Sequence, residues 1–431
     1  MSNHIHRVVI AGGGLGGLTA AYLLRSVGMK VTVLEQANEL GEVGAGIQTA
    51  PNASRILINA GLRPQLEAIK TEPTSQVRRR WSDGKILASR PLGDTLWQEF
   101  GAPYWHFHRA DLHQMLVDVC SDPTLPGPVV DLHTNSKVAT ADQSNPALPV
   151  AITEDGRRYE GDVLIGADGV HSRVRAAMGM SEEEDLLFSG QMVFRAMVPG
   201  EKLKADPATR FLWDSFHSTM WYGPGRHLVH YFIRGGEYLN VAAALSSDVN
   251  LDKGWTEETT AEEFIRAFGD WDSRIASILE KAEGPILKWA LFAHRCNPVW
   301  VQGHVGLLGD AAHAMVPFQA QGASQAIEDA AVLAEELAVV DKDQISAALL
   351  RYGAKRAKRA GMVQEASAQN AHLYQLPDGP EQELRDEKLA RFEGESDVSY
   401  EWLWNGRHEP MSPAYVFSKG DRPALARLQD E

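Results

Sequence analysis

Arg7-Val-Val-Ile-Ala-Gly-Gly-Gly-Leu-Gly-Gly17 decides how the rest of the chain is read. Residues 7–11 form a short β-branched run that stops at glycines, as a strand buried on both faces of a parallel sheet does. Gly12, Gly14 and Gly17 satisfy a G-x-G-x-x-G spacing, and Leu18 to Ser26 continues with alanine, leucine and tyrosine at helical intervals. Gly12 permits the tight turn, Gly14 lets the backbone approach a pyrophosphate, and Gly17 lets the helix pack closely on the strand. Leu15 stands where the helix begins, and a helix N-terminus faces the anion. A second strand, Lys30 to Leu34, ends at Glu35, 18 residues beyond Gly17, where a carboxylate accepts hydrogen bonds from an adenosine ribose. The expectation is an α/β fold with a Rossmann-type domain. A glycine-rich turn with no ligand is the competing reading, and the complete strand, turn, helix, strand and acidic residue argue against it. The fingerprint alone does not separate FAD from NAD.

The chain outside this unit is long. At 431 residues it exceeds one ordinary domain, so two lobes and a tail are expected. An apolar fraction of 44% with 23% charged residues is that of a folded protein and not a disordered one. Lys plus Arg number 42 against 57 Asp plus Glu, a formal charge of −15, which argues against a nucleic-acid surface or an anionic membrane as partner. Cys120 and Cys296 are the only cysteines, too few for a disulfide framework and without metal-ligand spacing. No basic, apolar leader precedes the first strand and no stretch reaches the ~20 apolar residues of a membrane span, so a cytoplasmic location is expected.

Two further elements choose between the cofactors. Residues 160–175 run from an apolar strand into Gly166-Ala167-Asp168-Gly169 and a helix start. Residues 305–310 form another strand ending in Gly309-Asp310, followed by Ala311-Ala312-His313, by Pro317-Phe318 and by a helix from Ser324. Asp310 thus sits at the carboxyl end of a strand, where such sheets bind ligands. With the N-terminal fingerprint, the Asp168-Gly169 motif and the Gly309-Asp310 motif in this order, the chain resembles the class A flavin-dependent aromatic hydroxylases, the family of 4-hydroxybenzoate hydroxylase, salicylate hydroxylase and 3-hydroxybenzoate 6-hydroxylase, over nearly its whole length. The resemblance implies non-covalent FAD. Asp310 would bond a ribityl hydroxyl, and Gly322 and Ala323 would open a helix whose N–H groups point at the flavin pyrimidine oxygen, where reduced flavin carries negative charge. Arg109 would reach the FAD, Gly44-Ala45-Gly46 would skirt its ring, and Val138 would lie near the adenine. Asp168 is assigned to cofactor binding without choosing between FAD and the nicotinamide; a structural turn is its alternative. His313 is expected to be a packed histidine, with no partner evident in the sequence. No second fingerprint provides for a resident nicotinamide, so NADH or NADPH would visit transiently.

From 186 to 290 the pattern changes to short alternating segments such as 191–198, 228–233 and 239–243, which read as antiparallel strands. In the family such a sheet covers the flavin, with residues 76–93 adding strands. The implied division is an FAD-binding domain of residues 1–75, 100–185 and 291–360, a substrate domain of 76–99 and 186–290, and a helical tail region of 361–431. Residues 323–370 suit two long helices, and the aromatic cluster 398–404 would fill a groove of its own chain, cap the pocket or meet a partner subunit. Residues 221–237 are especially similar to 3-hydroxybenzoate 6-hydroxylases, where a histidine and a tyrosine line the substrate site; these map to His227 and Tyr231. A histidine suits acceptance of a phenolic proton. Arg195 suits a carboxylate or phenolate. The alternatives are a surface hairpin histidine, an ordinary strand tyrosine and a surface arginine. Pro317-Phe318 departs from relatives with histidine or glutamine after the Gly-Asp motif, which leaves the base and the regiochemistry open.

The activity implied is hydroxylation of a small phenol through a flavin C4a-hydroperoxide at the expense of NAD(P)H and O2, with loss of CO2 where the attacked carbon bears a carboxylate. Hydroxynicotinate, phenazine, urate or polyketide phenol are rival substrates of the same fold, and a non-catalytic flavin redox sensor is the rival of another class. A monomer or a homodimer is expected.

Overall fold

The computed structural model describes residues 6–40, 45–180, 182–247, 255–391 and 398–406. Two sheets organise them. The first has six strands in the order Val301–Gln302, Val305–Leu307, Val163–Gly166, Arg7–Ala11, Lys30–Leu34 and Asp131–His133. All neighbours are parallel except the hairpin made by the first two. Val163–Gly166 is buried along its whole length, and so is Arg7–Ala11 beyond its exposed first residue, which is why these segments read as continuous apolar runs.

Helix Leu15–Ser26 follows the first strand and packs against helix Gly322–Ala338. Their approach depends on Gly16, where an added Cβ would lie 2.8 Å from Leu308 Cδ2 and 3.0 Å from Ala326 Cβ. Arg25, fully buried near the end of the first helix, donates to the carbonyls of Val119, Cys120, Asp122, Leu125 and Gly127. The cation thereby satisfies the last carbonyls of helix Arg109–Ser121, which a helix cannot satisfy internally, together with those of the cap and loop that follow it.

The second sheet has eight strands in the order Thr256–Thr259, Glu283–His294, Leu186–Pro199, Tyr238–Ser246, Arg226–Ile233, His217–Gly223, Ser75–Arg80 and Ile86–Pro91. It is antiparallel except where Ser75–Arg80 runs parallel to His217–Gly223. Side chains alternate between its faces. Leu228 and Phe232 join Phe194, Trp221, Phe264 and Trp271 in a core closed by helices Ala261–Ala267 and Ser273–Leu279. His227, Val229 and Tyr231 point the other way, toward a cavity between the sheets. The two long helices expected after residue 322 are Gly322–Ala338 and Ile345–Tyr374. The second has 30 residues, about 45 Å of helix, and its C-terminal end reaches the large sheet: Tyr374 stacks on Tyr222 at 4.6 Å and the Gln375 carbonyl accepts from Gly225 N at 2.9 Å.

Candidate functional site

One cavity of about 420 Å³ is open to the glycine turn, to the strand end carrying Asp310 and to the inner face of the large sheet. Gly14, Leu15, Gly46, Arg109, Asp310, Gly322 and Ala323 line it, as do Arg195, His227 and Tyr231. Gly12, Gly17, Glu35, Ala45, Val138 and Asp168 are not among the residues that line it, and Gly44 falls outside the described residues.

The glycine turn is built to leave room on one side only. Gly12 has φ of +106°, and a Cβ there would lie 2.2 Å from the Ala167 carbonyl oxygen. A Cβ on Gly17 would lie 2.1 Å from the Gly12 carbonyl oxygen, so the helix meets the strand without space for a side chain. At Gly14 nothing stands within 4 Å of the Cβ position: the backbone faces open space at the start of helix Leu15–Ser26. That is the room a pyrophosphate requires. Glu35 braces the turn, accepting from Gly13 N at 2.7 Å and Ala37 N at 2.9 Å, and its backbone carbonyl accepts from Ser136 N two residues before Val138. The Ala45 carbonyl accepts from Arg109 N at 2.7 Å, which ties the Ala45-Gly46 segment to the arginine. Asp168 turns away from the cavity: its carboxylate takes Ser172 Oγ at 2.5 Å, Arg173 N at 2.8 Å and Val174 N at 3.2 Å, while Ala167 and Gly169 on either side line the cavity. Burial pushes the pKa of Asp168 up, against these hydrogen bonds.

The opposite wall is the N-terminus of the 17-residue helix Gly322–Ala338, with Gln321, Gly322 and Ala323 facing the cavity. Gln321 Nε2 and Gln319 Oε1 are buried there without a hydrogen-bond partner. An open glycine backbone, a free helix N-terminus, orphaned amide atoms and Asp310 at a strand end are the donors and acceptors that FAD needs, and these residues fit it.

His313 has a partner that the sequence did not disclose. Its Nε2 lies 2.7 Å from Asp329 Oδ2, the same oxygen that accepts from Gly309 N at 2.9 Å. Both ends of the turn that presents Asp310 are thus pinned to one carboxylate, 16 residues on from His313 and on the next long helix. Asp329 belongs to a buried quartet: Arg356 Nε reaches its Oδ1 at 2.6 Å, and Glu328 Oε2 takes Arg356 Nη1 and Arg359 Nε at 2.6 Å each. Burial opposes ionisation of Glu328, yet the two guanidiniums bring its pKa down to about 2. Removing one member of such a group strands a buried charge, at a cost of about 3–5 kcal/mol.

The floor facing the flavin region is a cross-strand row. Arg195 pairs with Ala242, Ala242 with Val229, Val229 with Met220, and Met220 with Arg78. Two arginines therefore bracket three small or apolar side chains across four strand spacings, roughly 19 Å. Arg195 lies over the Trp289 ring at 5.2 Å. Burial lowers its pKa, and Tyr231 opposes the shift. Burial also lowers Arg109, with Asp310 opposing and Arg195 adding to the effect, so these three charges share one end of the cavity.

The other end is polar and was not foreseen. Arg78 is buried there beside Gln76, whose Oε1 has no partner, and Ser218, Gln48 and Tyr104 are linked as Tyr104 Oη donates to Gln48 Oε1 at 2.6 Å and Gln48 Nε2 to Ser218 Oγ at 3.2 Å. Tyr231 stands between the ends, packed on His106 at 4.4 Å, its pKa raised by burial. Gly46 makes room for it: a Cβ there would lie 2.6 Å from the Tyr231 ring. His227 is buried and not a surface hairpin residue; Phe318 meets it edge-on at 4.6 Å, and burial takes its pKa down to about 3. The ring is neutral at physiological pH.

The aromatic tail closes the site from its own chain. Trp404, in helix Val398–Asn405, lines the cavity, packs on Phe100 at 5.4 Å and Tyr104 at 5.7 Å, and carries Arg90 over its ring at 4.7 Å. Arg359 donates to the Leu403 carbonyl at 2.8 Å, and Arg55 to those of Trp404 at 3.3 Å and Asn405 at 2.6 Å, so one buried and one half-buried guanidinium hold the C-terminal carbonyls of that helix.

Comparison with known proteins agrees with this geometry. The FAD binding domain family matches residues 6–367. The chain is similar to a 3-amino-4-hydroxybenzoate 2-monooxygenase of Streptomyces platensis, 37% identical over 95% of this chain and 98% of that protein. It is also similar to 3-hydroxybenzoate 6-hydroxylase 1 of Aquipseudomonas alcaligenes, 38% identical over 89% and 93% of the two chains. A salicylate hydroxylase substrate complex superimposes with a TM-score of 0.76 over 94% of this chain and 97% of that one, at 24% identity, a likeness of fold.

Proposed function

We propose, from the premise that the chain belongs to the family of class A flavin-dependent aromatic hydroxylases and has FAD as its cofactor, that it hydroxylates a small phenolic aromatic acid at the expense of NADH or NADPH and O2. The observation that carries this reading is the row Arg195, Ala242, Val229, Met220, Arg78, which gives a flat ring an apolar floor with a cation at each end. Bound FAD supplies hydride acceptance and oxygen activation. The glycine turn and the Leu15 helix would hold its pyrophosphate, Asp310 its ribityl chain, and the N-terminus at Gly322 and Ala323 its pyrimidine edge.

The chain's own groups orient and shield the substrate. Arg78, with Gln76 and Ser218, would take the carboxylate by charge-assisted hydrogen bonds. His227 and Tyr231 would meet the phenolic oxygen from the next rows of the same face. Arg195, beside Tyr231 and at the Asp310 end, favours an anionic ring oxygen there. Met220, Val229, Phe318 and Trp404 exclude water, which strengthens each of these contacts. The two relatives compared above act, by their names, on aromatic acids, in keeping with a carboxylate at Arg78.

The test is NADH and NADPH oxidation by the purified yellow protein across hydroxybenzoates, aminohydroxybenzoates, hydroxynicotinates and their carboxamides, with product masses. A compound that accelerates oxidation and gains one oxygen supports the reading, and loss of CO2 appears in the same mass. Arg78→Met should raise KM for the acid by at least about tenfold while leaving that for the carboxamide and the flavin content unchanged, since a charge-assisted hydrogen bond contributes ~1.5–3 kcal/mol. An equal effect on acid and amide removes Arg78 from carboxylate binding. Bound FAD with no compound oxidised or hydroxylated rejects the hydroxylase reading.

A further inference from the structure

His227 lines the cavity and gives one ring nitrogen to the chain. Its Nδ1 lies 3.0 Å from Nε2 of Gln375, the residue that caps the C-terminal end of the 30-residue helix. Gln375 is itself held. Its Nε2 also donates to Gln191 Oε1 at 2.8 Å; its Oε1 accepts from Gln191 Nε2 at 3.2 Å and from Ser246 Oγ at 2.8 Å; its carbonyl accepts from Gly225 N at 2.9 Å. Gln191 Nε2 is shared with Ser246 Oγ at 3.1 Å. A primary amide has two N–H donors. One goes to Gln191 Oε1, and the second is directed at His227 Nδ1. An imidazole nitrogen that accepts carries no proton, so the proton of the neutral ring resides on Nε2, the other nitrogen.

We propose that Gln375 is a positioning residue that holds His227 in the Nε2–H tautomer, so that His227 meets the phenolic oxygen of the substrate as a hydrogen-bond donor and not as its base. The substrate then sits as the phenolate, its proton already given to solvent, and the Nε2–H bond stabilises the charged oxygen. No proton moves to His227. The surroundings of the ring agree with a neutral donor: Phe318 and Tyr374 pack edge-on against it at 4.6 and 5.3 Å, and this burial disfavours imidazolium. The proposal rests on the reading of the cavity as a phenol-hydroxylating site.

The tautomer is read directly from long-range proton–nitrogen spectra of FAD-loaded protein labelled with nitrogen-15 histidine, with the His227 signals identified by their loss in H227N. A protonated Nε2 and an unprotonated Nδ1 are expected, and in Gln375→Met the ring should become a mixture of tautomers. A protonated Nδ1 in the unaltered protein, or an unchanged tautomer in Gln375→Met, overturns the proposal. Gln375→Met should further lower the product formed per NADH consumed by severalfold, with the rate of flavin reduction and the flavin content unchanged. Equal loss of reduction and hydroxylation would mark Gln375 as merely structural. If no phenol stimulates NADH oxidation, the hydroxylase reading falls while the spectra still decide the tautomer.

Discussion

His106, His227 and His230 are each buried, and burial takes each from an ordinary pKa of 6.5 down to about 3. At His106 the hydrogen bond to the Phe232 carbonyl opposes the shift; at His230 Arg79 and His217 add to it. The folded protein keeps these rings neutral while the unfolded chain protonates them. The stability that follows is fully present above pH 6.5 and is lost as the pH falls from there toward 3, because in that window the unfolded chain binds more protons. At pH 5 each ring costs RT ln(1 + 10^1.5), about 2 kcal/mol, and the three together about 6 kcal/mol, comparable with the ~5–15 kcal/mol that holds a domain folded. His230 isolates the effect, since it faces away from the cavity and its Nδ1 is buried without a partner. Replacing it with leucine removes one proton-binding group without orphaning another. Urea denaturation of the FAD-loaded protein at pH 8, 7, 6 and 5, followed by tryptophan fluorescence, should show the midpoint falling with pH, and His230→Leu should lose about 2 kcal/mol less between pH 8 and pH 5. A midpoint constant from pH 8 to 5, or the same slope in His230→Leu, would refute the assignment of the acid sensitivity to buried neutral histidines.

Asp310→Ala should purify with less bound flavin, and undiminished flavin content would remove Asp310 from the cofactor site. Denaturation with trichloroacetic acid should leave the flavin in the supernatant; colour retained in the pellet would mean a covalent link. Trp404→Ala removes a ring that is 1% exposed and should lower stability by roughly 3–5 kcal/mol and reduce product per NADH by admitting water, with both quantities unchanged if the tail is passive.

What the sequence discloses and what it hides divide along the range of the interaction. The glycine turn, Glu35 and Asp310 are legible because strand, turn and helix follow one another within a few residues and each glycine answers a local steric demand. The two long helices are legible for the same reason, from composition alone. Arg78 and Gln76 are not, because they enter the cavity through the register of a strand paired with another about 140 residues away in sequence, and one residue of slip would face Arg79 inward instead. Gln375 escapes notice because a glutamine after a long helix carries no local signal until the helix brings it to Gly225. His227 and Tyr231 come from likeness to relatives; their separation by Val229, two residues apart on either side, is what period-2 alternation requires of one face. His313 reads as a packed histidine with no partner evident in the sequence, because its carboxylate lies on a helix whose orientation no local pattern reveals.

The quartet of Glu328, Asp329, Arg356 and Arg359 sums to zero charge in a buried space. Losing any one residue is expensive, whereas exchanging all four for well-packed apolar side chains can be neutral. Changing one residue at a time therefore meets a barrier on every route out of this arrangement. Their coupling also constrains the neighbours they hold: Asp329 cannot drift without freeing the turn before Asp310, nor Arg359 without releasing the tail at Leu403. Cofactor loop and aromatic tail are thus coupled by residues that need touch neither flavin nor substrate.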